Sequence, residues 1–148
     1  MQPEYEEKTG RIFFISVVAI ASVPWLLYAI GLMNVSGRPE HATLSITDAE
    51  AERLWNELRE IGPVQVSRIG PWDYVLLIIS DEPLKGHPGM KAAGFLAGHY
   101  NSGNIYNKRM AFWHLSNAAI TIWLSRNWTT REILSKVKEI NNRNSSGT

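Results

Sequence analysis

From Ile12 to Met33 the chain reads IFFISVVAIASVPWLLYAIGLM, 22 residues without a charge. Arg11 closes the run on one side, and Asn34, Ser36, Gly37, Arg38 and Pro39 close it on the other. A helix of that length reaches across the ~30 Å hydrocarbon core of a bilayer. Pro24 would break a helix in water but is tolerated in a membrane helix, where neighbouring turns and side chains re-satisfy the backbone. A cleaved signal peptide is one alternative. Against it, the apolar run is longer than a signal core, the preceding segment is not net positive, and no A-x-A-like site follows. A buried core helix is another, but so small a domain has too little material to cover such a helix on every side. Residues 12–33 are therefore expected to form a transmembrane helix after an N-terminal tail, 1–11. Lys8 and Arg11 precede the span and Arg38 alone follows closely, which favours a cytoplasmic N-terminus and an exported remainder.

Composition narrows what that remainder can do. The 148 residues include no cysteine, which excludes disulfides, thiolate metal sites and a cysteine nucleophile. The formal charge of +1 conceals a division. Residues 1–82 carry 6 basic and 12 acidic side chains, whereas 83–148 carry 9 basic ones against Glu132 and Glu139 alone. A basic second half suits an anionic partner, and in an exported domain that partner is not nucleic acid.

Residues 34–46 lack periodicity and read as a linker. A mainly α-helical domain is expected over 47–141. Thr47 and Glu50 form a capping-box pattern ahead of Leu54, Trp55, Leu58 and Ile61, and Gly62-Pro63 stops that helix. Val64–Ser67 reads as a short strand or extended link. Pro71 tilts the apolar run YVLLIIS toward helix, because proline suits a first helical turn. Asp81–Gly89 is a loop, Met90–Tyr100 a helix of small residues and Asn101–Asn107 a second loop. Lys108–Arg126 is a long helix with Met110, Trp113, His114, Asn117, Ile120, Thr121 and Leu124 on one face. Thr129 and Glu132 cap a final helix lined by Ile133, Leu134, Val137 and Ile140, and 142–148 is expected to be a disordered tail.

The chemistry-bearing residues are few. Asp81 and Glu82 are adjacent carboxylates beside a loop holding Lys85 and His87, a setting in which a raised pKa would make a general acid or base. The bland alternative is two solvated acids after a helix. The four histidines have no ligand spacing, and no phosphate-binding, dinucleotide or serine-hydrolase motif occurs, so neither metal nor cofactor is expected. His114 is expected as a hydrogen-bonded core or interface residue. Lys85, Lys91, Lys108, Arg109, Arg126 and Arg131 stand at loops and helix ends, where cations meet phosphate or anionic headgroups. Trp113 and Trp123 are candidates for a face that packs on another membrane protein.

The order of features resembles the monofunctional peptidoglycan glycosyltransferases, bacterial enzymes with one N-terminal anchor ahead of a helical, lysozyme-like exported domain. The likeness starts at Ile69-Gly70-Pro71-Trp72 and reaches Asp81-Glu82-Pro83-Leu84-Lys85-Gly86-His87-Pro88-Gly89, where the family has E-D-x-x-F-x-x-H-x-G. Gly89–His99 resembles its G-S-T-I-T-Q-Q-L-A-K-N, and the stretch from Trp113 through Ala118, Leu124 and Trp128 to Glu132-Ile133-Leu134 resembles a third motif. The departures fall on the chemistry. The family's first catalytic Glu corresponds to Ser80, or to Asp81 with one deletion, and its second to Asn117. The Gln pair and Lys that hold donor substrate correspond to Gly94, Phe95 and Gly98, which supply neither charge nor amide. The resemblance thus implies a retained frame with altered catalytic groups. The expected protein is an anchored, non-catalytic domain of the bacterial inner membrane, facing the periplasm. Its expected partner is an anionic lipid or cell-wall precursor, or a membrane protein. The alternatives are a reduced glycosyltransferase or lytic enzyme using Asp81, Glu82 and His87, and an accessory subunit of a membrane complex.

Overall fold

The computed structural model describes residues 3–80 and 86–146. It contains six helices: α1 Pro3–Met33, α2 Asp48–Glu57, α3 Pro71–Ile79, α4 Met90–Asn104, α5 Met110–Asn127 and α6 Thr130–Ser146. No strand occurs among the described residues; a single antiparallel bridge joins Val35 to Ile105. The chain is mainly α, as its periodicity predicts.

Within α1, Gly10–Met33 is long and apolar enough to cross a membrane, with a mean hydropathy of 2.2 over a window of which 6% is buried. At 1.5 Å per residue, its 24 residues extend about 36 Å. Pro24 lies inside this helix, and the helix continues through it.

The body is built on α4, α5 and α6, with α2 covering α6 and the end of α1 lying on α5. Its core joins Ala92, Leu96 and Ala97 of α4 to Ile120 and Leu124 of α5 and to Ile133, Leu134 and Val137 of α6. The alanines of α4 allow its backbone to approach α5 closely, so small residues in this helix are a packing requirement. A smaller cluster of Ile69, Met90, Ala93 and Ile122 receives Tyr28 of α1 with Tyr74 and Leu77 of α3.

Both expected capping boxes form. The Thr47 hydroxyl accepts the Glu50 N–H at 3.3 Å while the Glu50 carboxylate accepts the Thr47 N–H at 3.0 Å. Thr129 and Glu132 repeat the arrangement at 3.3 and 2.6 Å. Pro71 does open a helix, and the Asp73 carboxylate accepts the Gly70 N–H ahead of it at 2.6 Å. The start of α4 is capped from a distance, with Glu60 accepting the N–H of Gly89 at 3.1 Å and of Ala92 at 2.9 Å. A carboxylate there meets the positive end of the helix dipole.

Three expectations change. Asn101–Asn107 is not wholly a loop: α4 continues to Asn104, and the Asn104 amide donates back to the Tyr100 carbonyl at 2.8 Å. The expected tail is helical through Ser146, supported by the Arg143–Glu139 pair at 2.6 Å and by Ser145 donating to the Asn141 carbonyl at 2.9 Å. Ile61 is exposed rather than part of the α2 stripe, because α2 ends at Glu57 and Arg59 turns the chain at φ 53.

Segment 34–46 joins α1 to α2 without a helix and is pinned at several points. Asn34 is buried, donating to Ser116 Oγ at 2.9 Å and to the Asn107 carbonyl at 3.3 Å, while its Oδ1 accepts the Asn107 N–H at 2.8 Å. The backbone adds Ser36 N–H to the Asn104 carbonyl at 2.7 Å and Tyr106 N–H to the Asn34 carbonyl at 2.9 Å. Farther along, the buried Glu139 carboxylate accepts the Thr43 N–H at 2.9 Å. Just inside the α1 terminus, a Cβ on Gly31 would stand 2.6 Å from the Leu115 carbonyl oxygen and 2.7 Å from Ala119 Cβ, so only glycine allows this crossing.

Candidate functional site

An open groove of about 520 Å³ lies between α1, α3 and α5. Pro24, Leu27 and Tyr28 form its α1 wall; Tyr74, Val75 and Ile78 form its α3 wall; Ala111, His114 and Ala118 stand on its α5 wall. α3 is held against α1 by the Trp72 indole N–H, which donates to the Ala21 carbonyl at 3.0 Å. Few polar groups reach the groove, and no carboxylate lines it among the described residues.

The outer face of α3 is the second unusual surface. Leu76, Ile78 and Ile79 are 54%, 67% and 70% exposed, and Trp72 is 40% exposed. A nine-residue helix that covers its neighbours with Tyr74 and Leu77 has no packing need for three further aliphatic residues facing outward. Its one charge, Asp73, lies in the first turn, and a Cβ on the adjacent Gly70 would lie 3.4 Å from that carboxylate and 3.8 Å from the Arg126 guanidinium.

The residues singled out in the sequence do not assemble into one site. Asp81, Glu82 and Lys85 lie outside the described residues. Ser80 is exposed at the end of α3, with its hydroxyl at 3.5 Å from the Leu77 carbonyl. His87 is half-buried in the turn before α4 and does not line the groove. Lys91, in the first turn of α4, donates to the Arg59 carbonyl. Asn117 is half-buried on α5 and lines the groove, as does His114. Lys108 and Arg109 are exposed immediately before α5, and neither forms an ion pair with a described residue. Their placement matters, because Asn107 is the residue that holds Asn34 at the end of α1. Arg38 lies near the same end, with its guanidinium 5.9 Å from the Trp123 ring centroid.

Sequence reasoning missed Tyr28, Trp72 and Tyr74. A signal existed in the excess apolarity of YVLLII over what one buried face requires, but its partner, the middle of α1, is 50 residues away. Of the two places expected for His114, the core is not where it lies: it is exposed on the groove wall, edge-on to Trp113 at 5.1 Å. Trp113 and Trp123 are partly buried against the main core, which removes much of the outward face expected for them.

Three carboxyl groups that tie α2, α6 and the segment before α2 together are shifted downward. Lys138 and the Thr47 backbone and hydroxyl bring the Glu50 carboxyl down to about 2. Hydrogen bonds from Thr129 lower Glu132, and those from Thr43 and then Lys136 lower Glu139. All three serve capping or docking, so their shifts report architecture rather than catalysis. Among the described residues no group of three or more His, Asp or Glu side chains is arranged to hold a metal ion.

No protein-family model, no curated protein and no solved structure matches this chain.

Proposed function

We propose that this is a single-pass membrane protein whose helical domain is seated against the bilayer and binds an anionic ligand at its surface without catalysing a reaction. The observation that carries the proposal is the fixed docking of the candidate membrane span on the domain. Gly31 against Leu115 and Ala119, together with the Asn34 hydrogen bonds, makes α1 and the body one unit. Charge limits where the bilayer sits. A ~30 Å core takes about 20 helical residues. Arg11 keeps that core from starting before Ile12, so it extends at least to Gly31. Ala21, Pro24 and Tyr28 then lie in hydrocarbon, and α3, bonded to Ala21 and packed on Tyr28, lies beside them, its one charge, Asp73, held by the Gly70 N–H on the side of Arg126. Leu76, Ile78 and Ile79 face lipid in that arrangement, which accounts for their exposure.

The domain is exported, on the short-flank charges Lys8 and Arg11 ahead of the span against Arg38 behind it. Lys108 and Arg109 join the exit side only after folding, so they act on headgroups rather than on the choice of orientation. The resemblance to the peptidoglycan glycosyltransferases supports a bacterial inner membrane with the domain in the periplasm. The replacement of the family's second carboxylate by Asn117, and of its first by Ser80 in the ungapped alignment, supports binding rather than turnover. The test is incubation of the full-length protein, in detergent and lipid, with lipid II. No polymer is expected. Polymer that forms and is lost in Asp81→Asn would overturn the proposal in favour of an enzyme.

A further inference from the structure

Resting on that membrane placement, we infer that the groove between α1, α3 and α5 is a site for an anionic glycerophospholipid, with one acyl chain in the groove and its phosphate at Lys108 and Arg109. Three observations converge. The groove walls at Leu27, Val75, Ile78 and Ala118 are apolar, and about 520 Å³ is on the scale of ligand-holding clefts. Its α1 wall consists of residues that the charge limits place in hydrocarbon, so the medium at its open side is lipid rather than water or a soluble peptide. One end of its α5 wall, Ala111, is two residues from Arg109, and Arg109 is two residues from the Asn107 that grips Asn34 where the span ends.

That places two unpaired cations at headgroup level directly beside a slot at acyl-chain level. A phospholipid has this same division, and a zwitterionic lipid would use the slot while gaining little from the cations. Met110, exposed next to Arg109, and Tyr106, exposed and bonded through its N–H to the Asn34 carbonyl, complete an interfacial rim. Juxtamembrane Lys and Arg residues each contribute about fivefold toward an anionic surface, so the pair should set lipid preference more than total lipid uptake.

The experiment is reconstitution of the full-length protein in nanodiscs of phosphatidylcholine with a minor fraction of phosphatidylglycerol, followed by quantification of lipid retained through mild detergent extraction. The wild type should retain phosphatidylglycerol over phosphatidylcholine by about tenfold or more. The double variant Lys108→Gln/Arg109→Gln should lose that preference while still retaining lipid. Ala111→Trp, at an exposed position on the groove wall, should reduce retention of both lipids. Equal retention of the two lipids by the wild type, or an unchanged preference in the double variant, would overturn the inference. Vesicle flotation separates the two levels: a chain that fails to float refutes the membrane placement, whereas one that floats without lipid preference refutes only the lipid site.

Discussion

Gly89 shows how one residue can be fixed by two constraints at once. Its φ of 83° lies in the left-handed region, and a Cβ there would stand 2.5 Å from Val66 Cγ2 and 2.7 Å from Val66 Cα. The same residue supplies an N–H to Glu60 at the start of α4. Gly89→Ala is therefore expected to destabilise the domain by roughly 2–4 kcal/mol, combining left-handed strain with overpacking against backbone, as read by thermal unfolding. The match of His87-Pro88-Gly89 to a family motif is thus explained for Gly89 by local geometry, independently of any catalysis. Gly31 obeys a related rule without unusual dihedrals. Gly31→Ala should cost about 1–3 kcal/mol, because the obstructing atoms include the Leu115 backbone, which cannot rotate away.

The helices differ in how openly the sequence announces them. Those with local signals were legible: the two capping boxes, the proline opening α3 and the uncharged run of α1 are each decided within a few residues. α5 was legible as a helix but not as a one-faced one, since its second half is buried on several sides, with α1 and α4 against it, and so shows no single apolar face. The end of α4 was misread because Ser, Gly and Asn normally break helices, yet here the Ser36 N–H reaches back to the Asn104 carbonyl and holds the last turn. The groove was invisible for a different reason: its three walls come from segments some fifty and ninety residues apart, and only packing brings them together. The joint between α1 and the domain belongs to this scale too. Asn34→Ala removes both partners of the Asn107 backbone and leaves Ser116 buried without its donor. It should cost about 1–3 kcal/mol and lower hydrogen-exchange protection at Tyr106 and Asn107 ahead of the helical core.

For the molecule as a whole, acidity acts through the seam that ties segment 43–50 to α6. Glu50, Glu132 and Glu139 all have folded values below the ordinary 4.5. A depressed carboxylate contributes stability that is fully present above its unfolded value and lost as pH falls toward the folded one. Unfolding followed at constant temperature should therefore show constant stability from neutrality to about pH 5, then a fall between about pH 4.5 and 2. Glu139→Gln should reduce that slope, since the amide keeps an acceptor for Thr43 without titrating. The net charge of +1 is likewise a property of the whole that conceals its parts, with Lys108 and Arg109 of the second half next to the Asn107 that holds the end of α1.

Placement in the bilayer can be read directly, because a chain without cysteine accepts single spin labels free of background. Labels would be introduced through Ile20→Cys on α1, Ile79→Cys on α3 and Asn56→Cys on α2, in full-length protein reconstituted into vesicles. Accessibility to oxygen and to a water-soluble nickel chelate then gives the depth of each. Ile20 and Ile79 should both be oxygen-rich and shielded from nickel, with Asn56 the reverse. A nickel-accessible label at Ile79, alongside a lipid-buried one at Ile20, would contradict a domain seated in the membrane and leave α3 in water above it.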